Sequence, residues 1–98
     1  MKKLFVLVRA DLPLNYGAVQ AGHAVAEFVL NRPNSWSNEI LIYLKVKSLF
    51  QMQIIRDRFV KEKIDFIEFK EPDLNNEITA IATTHENNII KKLNLLKS

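Results

Sequence analysis

Gln20, His23 and Glu27 stand at i, i+3 and i+7, a spacing that puts all three on one narrow face of a helix. Ala18, Ala21, Val25, Phe28 and Val29 fall roughly opposite, so the same pattern also describes an amphipathic helix that shows a polar face to water. Location favours chemistry. A strand-like run ends at Arg9, and Asp11-Leu12-Pro13 is the loop that leads from it into this helix. In open α/β sheets, ligands bind outside the carboxyl ends of parallel strands, in such loops. Gly17, Ala18 and Val19 are expected to present free backbone N–H groups at the helix start, which favours an anion or a developing oxyanion. The glycine-rich pattern and lysine of a phosphate loop are absent. A second candidate is Glu71-Pro72-Asp73-Leu74-Asn75-Asn76-Glu77, with three carboxylates in seven residues. These could bind a hard cation, supply a general base, or form a plain turn in which Asp and Asn bond their own backbone. The spacing is not that of an EF-hand, and neither a metal site nor a cofactor is expected.

The elements that must position these residues follow from periodicity. Leu4–Val8 is apolar on both faces, as a central strand covered on each side should be. Ala10–Tyr16 reads as loop, and Gly17 opens a helix running to about Asn31, ended by Arg32-Pro33-Asn34-Ser35. Glu39–Val46 alternates and reads as a strand. Ser48 starts a second helix, with Gln51 in the capping-box position and Leu49, Met52, Ile55, Phe59 and Val60 at helical spacing. Ile64–Phe69 reads as a short strand interrupted by Glu68, as an edge strand should be, and Ile78–Thr83 as another. Thr83 or Thr84 is expected to cap a last helix with Ile89, Ile90, Leu93 and Leu96 as its stripe and an exposed His85 in its first turn. Trp36 lies in the loop Asn34–Asn38 and is expected to pack rather than stack on a ligand.

The order β-α-β-α-β-β-α contains two βαβ units, which imply parallel strands. The seven or so residues between the third and fourth strands are too few for a crossover, so that pair should be antiparallel. The expected fold is three-layer α/β/α around a mixed four-stranded sheet, in one domain spanning residues 1–98.

Composition bounds the rest. A 48% hydrophobic fraction fits a globular chain, and no apolar run approaches the ~20 residues of a membrane span. The run after Met1-Lys2-Lys3 is five residues long and stops at Arg9, short of a secretory signal, so it is read as a strand. There is no cysteine, which excludes disulfides and thiolate metal sites and fits a reducing cytoplasm, the expected location. The net charge is +3, with basic residues grouped at Lys45–Lys63 and again at Lys91, Lys92 and Lys97. Such runs are solvated helix faces or contacts for a polyanion.

The strand ending in Val8-Arg9, then Asp11-Leu12, Gly17 and Gln20-Ala21-Gly22-His23-Ala24, resembles the opening of the class II (archaeal and eukaryotic type) peptidyl-tRNA hydrolases. Asp73 leading into Ile78-Thr79-Ala80-Ile81-Ala82 resembles the family's aspartate loop before its final strand. Phe69 to Glu77 looks like a divergent bacterial branch. By position, Asp11, Gln20, His23 and Asp73 match the family's site residues. Tyr16 stands where the family has a lysine and Glu77 where it has a threonine. The resemblance implies hydrolysis of the ester between a peptide and tRNA, with Asp73 or His23 activating water and Gln20 holding the oxyanion. Tyr16, Gly17, Glu71 and Glu77 would line the substrate site. Basic residues of the second helix region, including Arg56 and Lys63, would take the tRNA backbone. A homodimer is a further expectation. The other possibility is a non-catalytic module that has lost the lysine and uses Tyr16, Glu71, Asp73 and Glu77 to recognise a protein or an amine.

Overall fold

The computed structural model describes residues 2–96, so Lys97 of the basic tail lies outside the described residues. The elements run β1 (Lys3–Arg9), α1 (Leu14–Asn31), β2 (Ile40–Val46), α2 (Leu49–Lys61), β3 (Ile67–Glu71), a single 3₁₀ turn (Pro72–Leu74), β4 (Glu77–Thr83) and the one-turn α3 (Asn88–Lys91). One mixed sheet has the order β2-β1-β4-β3. β1 pairs parallel with β2, while β4 is antiparallel to both β1 and β3. The architecture is three layers, as the order of elements implies.

Side-chain alternation in β1 builds the layers. Leu4, Val6 and Val8 face α1, where they meet Ala21, Ala24, Phe28, Ala80 and Ala82. Phe5 and Leu7 face the other way, into a cluster with Met52, Ile55 and Phe59 of α2 and Ile89 and Ile90 of α3. With both faces covered, Leu4 to Val8 are at most 5% exposed, which explains the unbroken apolar run. Small residues on the α1 side let that helix sit close to the sheet. A Cβ added at Gly17 would come within 3.2 Å of Val8 Cγ1 and 3.6 Å of the Arg9 carbonyl.

Several boundaries differ from the periodicity. Helix α1 begins at Leu14, not Gly17, because Pro13 fits ahead of the first turn and its carbonyl accepts the Gly17 N–H at 2.8 Å. The donors without an intrahelical partner are therefore those of Leu14, Asn15 and Tyr16, rather than Gly17 to Val19. Gln20 belongs to the buried face with Gly17, Ala21, Ala24 and Phe28, while Ala18 and Val29 are exposed. The polar-face grouping fails because the carboxamide finds buried partners. Ser48 caps α2 by accepting the Gln51 N–H, but the Gln51 side chain returns to the Lys47 N–H instead of the cap residue's own. Val60 is 61% exposed and lies outside the α2 core stripe.

The last helix is shorter than expected. Asn87, not Thr83 or Thr84, caps it, its Oδ1 accepting from the Ile89 and Ile90 N–H groups. His85 precedes the helix, with its N–H donated to Thr83 Oγ1. Beyond Lys91 the chain straightens: Leu95 bridges antiparallel to Leu44, with Lys45 N–H donating to the Asn94 carbonyl and Leu96 N–H to that of Tyr43. The free edge of β2 is covered in this way, and that pairing outcompetes helix continuation. Trp36 packs against the α1-side cluster and donates Nε1–H to the Ile40 carbonyl at 3.2 Å. Among the described residues, no helix is long and apolar enough to cross a membrane.

Candidate functional site

Because β4 runs antiparallel to its neighbours, its start lies at the same end of the sheet as the C-terminal ends of β1, β2 and β3. The loop into α1 and the turn Pro72–Leu74 are therefore neighbours. Gln20 joins them directly. Its Nε2 donates to Glu71 Oε1 at 2.9 Å, and its Oε1 accepts from Thr79 Oγ1 at 2.7 Å. Gln20 and Thr79 are both completely buried. Both ends of the carboxamide are engaged, so the amide serves as a bridge between α1, β3 and β4 and not as an open oxyanion donor.

Thr79 reaches this bridge through a β-bulge. The β3–β4 register steps from Lys70↔Ile78 to Phe69↔Ala80, which leaves Thr79 as the extra residue. A bulge re-aims the side chain it carries. Ile78 stays in the α2-side core, whereas Thr79 turns to the α1 side and meets Gln20.

Glu71 collects three donors. Besides Gln20, the Tyr16 hydroxyl stands 3.5 Å from Oε1 and the Asp73 backbone N–H stands 3.4 Å from Oε2. The Gln20 bond above all, with the Asp73 N–H and the nearby His23 contributing less, holds the Glu71 carboxyl below its ordinary range. Desolvation first, then the negative charges of Glu71 and Asp73, push the Tyr16 phenol up. Glu71 faces Glu77 across the β3–β4 pair. Like charges directly opposite each other repel, and each needs its own counterweight.

Arg9 supplies the one for Glu77. Only 6% exposed, it makes a two-pronged ion pair with Asp11, at 3.0 and 2.6 Å, and reaches Glu77 Oε1 at 2.8 Å and the Ile78 carbonyl at 3.4 Å. The Asp11 bond raises the Arg9 pKa further, and the same contact lowers that of Asp11. Asp11, expected to serve the site directly, is therefore committed to an ion pair. Arg9 is the residue that sequence reasoning passed over. A basic residue ending a fully buried strand, two positions before an aspartate, was the available signal.

His23 is exposed on α1, its ring stacked on Phe69 with centroids 4.6 Å apart and planes at 10°. Asp73 is exposed in the 3₁₀ turn, and its carboxylate has no hydrogen-bonding partner among the described residues. Tyr16, Gly17, Gln20, Glu71 and Glu77 thus gather at one end of the sheet with Asp73 beside them. Arg56 and Lys63 do not join them. Arg56 lies on the α2 side, paired with Asp57 at 2.9 Å and Glu68 at 3.4 Å. Lys63 follows the C-terminus of α2, which returns the chain to the start of β3, at the far end of the sheet. Among the described residues no group of His, Asp or Glu is arranged to hold a metal ion.

No protein-family model matches the chain, and no curated protein matches its sequence. Among solved structures, a protein of unknown function from Agrobacterium tumefaciens strain C58 is similar over 98% of each chain, with a TM-score of 0.75 and 13% identity. At that identity the likeness concerns the fold alone.

A cavity of about 210 Å³ opens at the same end, on the β2 side of the α1 N-terminus, lined by Val8, Arg9, Ala10, Leu12, Leu14, Gly17, Lys45 and Leu96. The site therefore has two flanks. Glu71, Asp73 and Glu77 lie towards β3 and β4, while Lys45 and the cavity lie towards β2.

Proposed function

We propose that this end of the sheet is a recognition surface for a cationic group, a protonated amine or guanidinium carried by a protein or small molecule, and that the domain binds without cleaving. The observation that carries the reading is the charge arrangement around Glu71. Asp11, Glu71, Asp73 and Glu77 set four carboxylates against the single guanidinium of Arg9, three negative in all, on a chain whose net charge is +3. Arg9 is spent on Asp11 and Glu77, which leaves Glu71 and Asp73 to face a ligand. The Tyr16 ring gives this surface an aromatic edge, suited to a cation. The test is a titration with n-butylamine and arginine methyl ester, followed by amide chemical shifts. Saturable shifts over residues 71–77 that weaken with salt, in Glu71→Gln and in Asp73→Asn are expected. Shifts of equal size with the uncharged n-butanol would overturn the reading.

One observation favours a second reading, ester hydrolysis of the peptidyl-tRNA type. An exposed imidazole, His23, stacks on the ring of Phe69, two residues before Glu71 in β3, on the helix where the family resemblance puts a catalytic residue. In such a reaction His23 takes a proton from water as the oxygen attacks the ester carbonyl. The ribose oxygen then leaves with a proton, giving a free peptide carboxylate and tRNA. Turnover of peptidyl-tRNA by the wild type, lost in His23→Ala and reduced in Asp73→Asn, is the expected result. Wild-type rates equal to buffer would remove this reading and leave the first standing. The second reading implies the cytoplasm, where a tRNA substrate would be met. A second copy would pair through the outer face of α1, where no exposed residue from Leu14 to Asn31 carries a formal charge.

A further inference from the structure

The cavity beside the α1 N-terminus has a chemistry of its own. Its walls are Val8, Leu12, Leu14 and Leu96, with Ala10 and Gly17 making room between them. Two cations line it. The guanidinium of Arg9 is spent on Asp11 and Glu77. Lys45 is exposed and has no carboxylate within salt-bridge distance among the described residues. It also borders the adjoining hollow formed by Leu93, Asn94 and Leu95, which places it at a shared rim.

We infer that this cavity is a binding site for a small aliphatic monocarboxylate, its alkyl chain among the four apolar walls and its carboxylate against Lys45. Size and charge select the class. A cavity of about 210 Å³ is room for a small molecule of a few carbons, of which pentanoate is an example. The four apolar side chains favour an alkyl chain over a sugar, whose hydroxyls would lack partners against them. The positive charge of Lys45, without a carboxylate partner among the described residues, disfavours an alkylamine. This site is separate from the proposed cation surface: Glu71, Asp73 and Glu77 do not line the cavity. The two claims can fail independently.

The experiment is a titration of the full chain with pentanoate, n-pentanol and n-pentylamine, read by amide chemical shifts. Saturable shifts at Ala10, Leu12, Leu14 and Gly17 are expected with pentanoate, in the millimolar range that suits so few atoms. Pentanol should bind about tenfold more weakly, the worth of one charge-assisted contact of ~1.4 kcal/mol. Lys45→Gln should weaken pentanoate about tenfold and leave pentanol unchanged; because Lys45 is exposed, the fold is not at risk. A second variant, Ala10→Trp, should block the cavity and abolish binding of both. Equal binding of pentanoate to Lys45→Gln, preference for pentylamine, or shifts confined to residues 71–77 would each overturn the assignment.

Discussion

The bond between Gln20 and Thr79 joins two completely buried side chains fifty-nine positions apart, and its removal tests whether the polar bridge organises this end of the sheet. Thr79→Val keeps the shape and takes away the donor, which leaves Gln20 Oε1 buried and unpaired. An unsatisfied buried acceptor costs about 1–3 kcal/mol. Gln20→Leu leaves the Thr79 hydroxyl with a single contact, 3.4 Å from the Phe69 carbonyl, at the weak limit of a hydrogen bond. A loss of about 1–3 kcal/mol is expected there too. In the double variant Val and Leu meet as apolar groups and no orphan remains between them. The double variant should therefore be no less stable than Gln20→Leu alone, with a coupling of about 1–2 kcal/mol. Urea unfolding of the four proteins measures it, and the slope should stay constant across the set. In thermal melts each 1 kcal/mol should appear as roughly 4–8 °C for a domain of this size. Additive effects, with coupling under about 0.3 kcal/mol, would refute the bridge and leave two unrelated core positions.

Other consequences follow from the ion pairs, caps and exposed faces. Arg9→Met takes from Asp11 and Glu77 the counter-charge they share. Breaking a buried pair costs about 3–5 kcal/mol, but these carboxylates are 36% and 37% exposed, so about 1–3 kcal/mol is expected in denaturant melts. Asp11 and Glu71 both have lowered pKa values in the folded state, so their contribution is complete above the ordinary carboxylate range and disappears as pH falls below about 4. Melting temperatures between pH 2 and pH 6 should show this loss, with the Asp11 share absent in Arg9→Met. Ser48→Ala and Asn87→Ala should each cost about 1 kcal/mol. In the four-residue α3, the second change should also raise amide exchange at Ile89 and Ile90. Val19 and Leu30 of α1 are 56% and 76% exposed; if copies pair through α1 as proposed, Val19→Glu and Leu30→Glu should abolish that pairing in sedimentation equilibrium. A wild-type chain that stays monomeric at millimolar concentration removes α1 as a pairing face.

The fold was legible because each element carries its own periodic signal. The apolar run of β1, the alternation of β2 and the Ser48 cap need only neighbours in the chain. What escaped depends on tertiary partners. Gln20 sits at a helical position that suits either water or the core, and only the Thr79 hydroxyl and the Glu71 carboxylate, both distant in sequence, decide for the core. The bulge that delivers Thr79 has no marker in Ile78-Thr79-Ala80. The end of α3 was misjudged for the same reason: Leu93 and Leu96 keep helical spacing, yet the unpaired edge of β2 draws Asn94 to Leu96 into an extended pairing. Arg9 reads as the end of an apolar run until Glu77, sixty-eight positions later, is seen beside it.

The strand order accounts for the two-sided character of the site. In a wholly parallel sheet the start of the last strand would lie at the opposite end from the α1 loop, and Glu77 could not meet Arg9. Inserting β4 antiparallel between β1 and β3 brings its first residues, and the acidic turn before them, to the carboxyl ends of the other three strands. Across the order β2-β1-β4-β3, the charged side chains at that end read Lys45, Arg9, Glu77, Glu71. Adjacent strands are about 4.8 Å apart, so the positive and negative flanks are separated by roughly 14 Å. In the middle one guanidinium, Arg9, is shared between Glu77 and Asp11, and Lys45 and Glu71 stand as the outer poles. A surface of that polarity attracts a ligand of opposite polarity in one orientation, and its reach exceeds that of any single free amino acid. The acidic turn and the apolar cavity can therefore be occupied together, by two small ligands or by the two ends of one extended molecule.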